Sequence, residues 1–228
     1  MTDKIRVLEI AELHDGTYAT VYEEGGFRLM SISDSLTHEG LKQGRMHLSE
    51  AGPGLESPYM ANSLAGLHWH PRPEKVAILG LGTGGMPRFL RSAYLETEII
   101  IVEHAQEIID LAKKHFRLET PGLYDYQCQD YMVWLNRSVV RNLDLLIVDV
   151  FTNQSLITNM MNREFFRLCW DHLQIEGVLT INLVGTEGQI EACFAAARDV
   201  FEYLYRIPVF DKCCVLVAAS TPMLALAD

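Results

Sequence analysis

The sequence predicts an α/β protein with a doubly wound, mostly parallel sheet, preceded by a small β element. Three observations carry this. The segment Lys75-Val-Ala-Ile-Leu-Gly-Leu-Gly-Thr-Gly-Gly85 is an apolar run that ends in four glycines, with a helix-compatible stretch directly after it. Glu98-Ile-Ile-Ile-Val-Glu103 follows as a second apolar run closed by a carboxylate. Leu143-Asp-Leu-Leu-Ile-Val-Asp149 is nearly continuously apolar, as a parallel strand covered on both faces must be.

The elements follow in order. Ile5 to Leu13, Thr17 to Tyr22 and Phe27 to Ser33 are rich in β formers, with a turn at Glu24-Gly25-Gly26. They predict two or three antiparallel strands, too few to stand alone. Gly52-Pro53-Gly54 marks a loop, and Tyr59 to Trp69 reads as a helix stopped by His70-Pro-Arg-Pro73. This divides the chain into a β element and loop over residues 1–58 and a nucleoside-binding domain over 59–228. From Lys75 strands and helices alternate. Helices are expected over Met86–Tyr94, Ala105–Phe116, Met132–Leu135, Asn159–Leu173 and Glu187–Phe201. Strands are expected at Tyr126–Asp130 and Gly177–Asn182, and the chain closes on an antiparallel pair, Tyr203–Val209 and Cys213–Ala219. Trp134, Phe165, Phe166 and Trp170 fall at helical spacing and read as core.

Strand, glycine loop, helix, strand and acid together form a nucleoside site at the carboxyl edge of a parallel sheet. Glycine at Gly80, Gly82 and Gly84 permits positive φ and close approach of a ligand to the backbone. Glu103 stands about 20 residues beyond the loop, where an acid accepts from ribose hydroxyls. The spacing Gly80-x-Gly82-x-Gly84-Gly85 is not GxGxxG, which argues against NAD and FAD, and no Walker lysine follows. Asp130 and Asp149 close two further strands, so three carboxylates converge on one crevice. By chemistry Glu103 suits ribose, Asp130 an adenine amino group or a helix cap, and Asp149 a cationic amine whose proton it takes.

Composition narrows the function. The chain has 228 residues, 49% of them hydrophobic, and a formal net charge of -11, with no basic stripe for nucleic acid. No apolar run approaches the ~20 residues that span a bilayer. No leader pattern opens the chain, and its five irregularly spaced cysteines lack a CxxC, which suits reduced thiols in the cytoplasm. His68, Trp69 and His70 lack further ligands at metal spacing, so no metal is expected. Cys213 and Cys214 are adjacent in a strand, face opposite ways and do not pair. His104, next to Glu103, is a candidate for ligand contact or for packing. No GxSxG surrounds Ser155, which argues against a hydrolase.

The Gly80–Gly85 loop, Glu103, Asp130 and Asp149-Val-Phe-Thr152 resemble spermidine synthase and its relatives, aminopropyltransferases on the methyltransferase-type sheet. The resemblance implies a seven-strand sheet of that type and a small N-terminal β domain that helps form a homodimer. It implies decarboxylated S-adenosylmethionine or S-adenosylmethionine as co-substrate and a small amine as acceptor. It assigns Gly80, Gly82, Thr83 and Gly84 to the sulfonium nucleoside and Glu103 to its ribose. Asp130, with Gln129 and Tyr131 beside it, would hold the base. Asp149 would deprotonate or orient the attacking amine. Tyr59 lies within one residue of the family's Tyr-His-Glu segment, with Met60 and Ala61 in place of the rest. Two departures bear on substrate. Thr83 replaces a loop Asp that pairs with the amine of the decarboxylated nucleoside and repels the carboxylate of S-adenosylmethionine. Thr152 replaces a second Asp that anchors a diamine. The reading that follows is aminopropyl transfer to an amine, with putrescine in doubt. The alternatives are an S-adenosylmethionine-dependent methyltransferase and a non-catalytic nucleoside-binding protein.

Overall fold

The computed structural model describes residues 4–49, 55, 57–119, 122–150, 158 and 160–222. Two sheets organise them. The first is antiparallel, in the order β1 (Arg6–Glu12), β2 (Tyr18–Glu24), β3 (Phe27–Ser33), β4 (Leu41–His47). It has four strands where the sequence pattern predicts two or three. The unforeseen strand, β4, reads Leu-Lys-Gln-Gly-Arg-Met-His, with no β-branched residue and no alternation. Its register on β3 shifts between Met30 and Ser31, so pairing rather than local preference makes it a strand.

The second sheet has seven strands in the order β10-β11-β9-β8-β5-β6-β7. These are β5 (Lys75–Leu79), β6 (Glu98–Glu103), β7 (Asp125–Cys128), β8 (Leu143–Val148), β9 (Leu173–Val184), β10 (Tyr203–Phe210) and β11 (Cys213–Ala219). β5 pairs in parallel with both β6 and β8, while β11 runs antiparallel between β9 and β10. The order therefore reverses at β5, which opens a crevice beyond the carboxyl ends of β5 and β8. This is the α/β architecture that the strand-and-loop pattern predicts.

Six α-helices are described: α1 (Pro58–Ser63), α2 (Gly85–Ala93), α3 (Gln106–His115), α4 (Tyr131–Arg137), α5 (Arg163–His172) and α6 (Glu187–Arg198). Strand alternation sends side chains to two cores. Val76, Ile78, Ile99, Ile101, Leu145 and Ile147 pack with residues of α1, α2 and α3. Ala77, Leu79, Ile100, Val102, Leu146 and Val148 pack with α4, α5 and α6. Covered on both faces, these strands carry apolar side chains along most of their length, with Lys75, Glu98, Glu103 and Asp144 as the exceptions. A third cluster joins the sheets: Ala19, Val21, Met30 and Met46 pack on Ala105, Ile108, Leu111 and Phe116 in and around α3.

Three sequence expectations shift. The helix foreseen over Tyr59–Trp69 ends at Ser63 and is followed by a 3-10 turn over Ala65–His68. A Cβ on Gly66 would lie 2.3 Å from Leu145 Cδ1, so close approach to the sheet tightens the chain there. The helix foreseen from Asn159 begins at Arg163, because Asn162 caps it by accepting from Phe165 N at 2.9 Å. Trp134, Phe165 and Phe166 are buried as foreseen, but Trp170 is 37% exposed and meets Phe201 edge-on. It stands on the outer flank of α5, where helical spacing alone does not separate core from boundary. The loop expected at Gly52-Pro53-Gly54 lies outside the described residues.

Candidate active site

A cavity of about 320 Å³ opens at the carboxyl edge of the sheet. The glycine loop forms its floor. Gly80 has φ +98, and a Cβ there would lie 2.3 Å from the carbonyl oxygen of Asp149. Glycine thus lets the end of β5 run against the end of β8, which places Asp149 beside the loop. Gly82 has φ +53, and a Cβ on it would lie 2.7 Å from the carbonyl oxygen of Gln43 in β4. The N-terminal sheet therefore closes over the loop, and Ile32, Lys42 and Gln43 join the cavity wall. Arg88 of α2 is buried beneath and donates to the carbonyls of Thr83 (2.5 Å) and Phe116 (3.1 Å), holding the loop's shape.

On the β6–β7 side stand Glu103, His104, Gln129, Asp130 and Tyr131. Glu103 is only 8% exposed. Its Oε2 accepts from Leu81 N at 3.1 Å, and its Oε1 accepts from Ala105 N at 3.1 Å. His104 Nδ1 lies 2.7 Å from the same Oε1. That hydrogen bond raises the His104 pKa above its ordinary value, against the opposing pull of burial. An ionised carboxylate has about four acceptor sites, so Oε2 keeps free capacity toward the cavity. Asp130 caps α4: its Oδ1 accepts from Met132 N at 2.8 Å and Val133 N at 3.0 Å. Its Oδ2 takes none of the described hydrogen bonds, so capping and ligand contact are compatible.

On the opposite side Asp149 joins Tyr59, Val150, Asn182, Val184, Phe210 and Cys213. Burial raises the Asp149 pKa above the usual carboxylate range. One bond opposes this, donated from Asn182 Nδ2 to Asp149 Oδ1 at 2.9 Å. Asn182 Oδ1 in turn accepts from Cys213 Sγ at 3.5 Å. The Cys213 thiol is pushed up to about 11, by burial first, and stays protonated. Burial, with Asp149 and Cys213 adding to it, likewise raises the Tyr59 phenol. Asp149 is the one carboxylate among the described residues on this side of the cavity. Replacing Asn182 by leucine removes the bond that holds the charged form, so the acid limb of any Asp149-dependent pH–rate profile should move to higher pH. An unmoved limb, with the fold intact by circular dichroism, would show that Asn182 does not tune this carboxylate.

The cavity brings together Tyr59, Gly80, Gly82, Glu103, Gln129, Asp130 and Asp149. Thr83 and Gly84 do not line it. The Thr83 side chain is buried, and its Oγ1 lies 2.3 Å from where a Cβ on Gly44 would stand. Gly84 caps α2 at φ +69, with Leu118 filling the space a side chain would need. A four-glycine loop shows where a backbone turns, not which of its residues face the ligand. Thr152 lies outside the described residues. Lys42, Gln43, Val184 and Phe210 escaped sequence reasoning, because they reach the site through strand pairing. Asn182, noted only as the end of a strand, carried a signal: a polar side chain closing an apolar run. His70 makes its contact at the far end of the sheet, with Nε2 2.7 Å from the Glu176 carbonyl. Among the described residues no group of three or more His, Cys, Asp and Glu is placed to hold a metal ion.

The seven-strand sheet with its crevice at the β5 edge has the methyltransferase-type α/β fold. Residues 60–208 match the model of the spermine/spermidine synthase domain, and the chain belongs to that family. It is 29% identical over 154 residues to a polyamine aminopropyltransferase of Vibrio vulnificus, a match covering 67% of this chain and 52% of the relative. The chain thus spans about half the length of that relative. A probable spermidine synthase of Corynebacterium glutamicum superposes with a TM-score of 0.79 over 93% of this chain and 80% of that one, at 18% identity. Human methyltransferase-like protein 13, in complex with SAH, superposes at 0.66 over 74% of this chain and 85% of its own, at 20% identity.

Proposed function

We propose that the chain is an aminopropyltransferase that binds a sulfonium nucleoside in this cavity and transfers its side chain to a small amine. The observation that carries the reading is the division of the crevice. A polar wall of Glu103, Gln129 and Asp130 faces, across the glycine loop, a desolvated carboxylate, Asp149. The free capacity of Glu103 Oε2 suits a ribose hydroxyl, and Asp130 Oδ2 suits an adenine amino group. The amine nitrogen attacks the carbon bonded to sulfonium. The new C–N bond forms as the C–S bond breaks, and its electron pair returns to sulfur. The leaving thioether is neutral and needs no acid. What the protein supplies is alignment and a base for the ammonium proton. Burial strengthens Asp149 as that base. Thr152 would flank the amine. On this reading the chain divides into a β element and loop over 1–58 and a nucleoside-binding catalytic domain over 59–228, and exposed Val7 and Ile10 on edge strand β1 suit a homodimer contact. The free cysteines suit a reducing cytoplasm. Among the described residues no helix is long and apolar enough to cross a membrane.

One observation favours a second reading. Lys42 lines the cavity, and the buried Thr83 contributes no acid to it. A carboxylate on the nucleoside would therefore meet a cation, which suits S-adenosylmethionine and methyl transfer. Calorimetric titration with decarboxylated S-adenosylmethionine and with S-adenosylmethionine, followed by transfer assays, separates the two. The primary reading expects binding of the decarboxylated form and transfer of its aminopropyl group. Lys42→Glu should shift the affinity ratio about tenfold toward the decarboxylated form, the effect of one charge-assisted contact. Binding of neither nucleoside would end both readings.

A further inference from the structure

Resting on the proposed transfer to an amine, we infer that the acceptor is a monoamine with an apolar body rather than an α,ω-diamine. A diamine that presents one nitrogen as nucleophile keeps the other as an ammonium ion. An ammonium drawn into a partly desolvated cleft needs a carboxylate partner. Among the described residues the acceptor side of this cavity has one carboxylate, Asp149, and the nucleophile occupies it.

The surroundings of Asp149 can be followed outward across the sheet. Asn182 of β9 donates to it, and Cys213 of β11 donates to Asn182. Cys213 pairs in the ladder with Val184 on one side and with Phe210 on the other. Both partners line the cavity, and both are exposed at its mouth, Val184 by 43% and Phe210 by 63%. The path from Asp149 to solvent thus runs from an amide to a protonated thiol and then to two apolar side chains. Tyr59 and Val150 complete this side. Among the described residues, the polar groups on it other than Asp149 are a phenol, an amide and a thiol, none of them an acid that pairs with an ammonium ion.

The chain that follows Asp149 offers no substitute. Residues 150–163 read Val-Phe-Thr-Asn-Gln-Ser-Leu-Ile-Thr-Asn-Met-Met-Asn-Arg, without one Asp or Glu, so this segment brings no carboxylate in any conformation. Asp211 follows Phe210 in the β10–β11 turn, but it does not line the cavity and has Lys212 beside it. Apolar side chains left exposed at a pocket mouth are a surface on which an alkyl or aryl group gains by burial.

The test compares butylamine, pentylamine and hexylamine with 1,4-diaminobutane, 1,5-diaminopentane and 1,6-diaminohexane. Each is assayed for transfer with the sulfonium donor the protein accepts. Each is also titrated by calorimetry into the complex with 5′-methylthioadenosine. The monoamine should exceed the diamine of equal length by about tenfold or more in kcat/KM and in affinity. Each added methylene should strengthen the monoamine roughly three- to fourfold. Phe210→Asp, at an exposed position that folding tolerates, should reverse the order in favour of diamines. Diamine preference by the unaltered protein overturns the inference and leaves the transfer reading standing. Monoamine preference in binding without any transfer removes the enzymatic reading and with it the acceptor inference, leaving a monoamine-binding site. Absence of binding and of transfer for both series overturns both.

Discussion

Asp149→Asn is expected to lower kcat for amine transfer by about 10²–10⁴-fold, the usual contribution of a positioned general base, while nucleoside affinity changes little. The asparagine keeps the volume, and its amide oxygen still accepts from Asn182 Nδ2, which lies 2.9 Å from Asp149 Oδ1. What is lost is the ability to take the ammonium proton. Stability should move the other way, and the sign follows from the raised pKa. Folding into a desolvated site favours the protonated carboxyl. Asp149 therefore contributes most to stability at acid pH, and that contribution is lost as pH rises through its folded-state pKa. Removing the charge should then raise Tm at neutral pH, with the gain shrinking as pH falls toward the range where Asp149 is protonated. Equal loss of turnover and nucleoside binding would count against the assigned role, and a lower Tm at neutral pH would contradict the desolvated environment.

Gly80→Ala should be strongly destabilising. Two costs add. An L-residue at φ +98 is strained by roughly 1–2 kcal/mol. The new Cβ would also stand 2.3 Å from Asp149 O, 2.8 Å from Asp149 C and 3.2 Å from Val150 N, all of them backbone atoms that no rotamer change can move. Together they should cost about 2–4 kcal/mol of stability and displace Asp149. Gly26→Ala separates the terms, since Gly26 has φ +80 and nothing within 4 Å of its Cβ position. It should show the conformational cost alone. Thermal unfolding of the two variants and calorimetric titration with the sulfonium nucleoside read the difference. Equal losses at both positions would mean that the contact between β5 and β8 ends is not what requires glycine.

The site was legible wherever its parts are close in sequence. Apolar run, glycine loop, helix, apolar run and acid lie within Lys75–Glu103, and local propensity places each one. Asp130 and Asp149 could be read because strand ends in a parallel sheet point to the same edge. Thr83 shows the limit. Its position in the loop marks it as a ligand contact, yet its side chain is turned under Gly44 by a strand whose sequence gives no β signal. Lys42 and Gln43 reach the cavity by the same route, and nothing in their own neighbourhood announces it.

The sequence by itself determined that β5, β6 and β8 are buried strands, that a glycine loop closes the first and carboxylates close the other two, and that residues 150–163 carry no acid. These are properties of local composition and hydrophobic period, which no later packing alters. Only the tertiary structure decided which side chains share the cavity. The order β10-β11-β9-β8 sets Phe210, Cys213, Val184 and Asn182 beside Asp149. Those contacts join residues more than 30 positions apart through ladder hydrogen bonds, and the ladder is chosen by how whole faces bury, not by the residues it brings together.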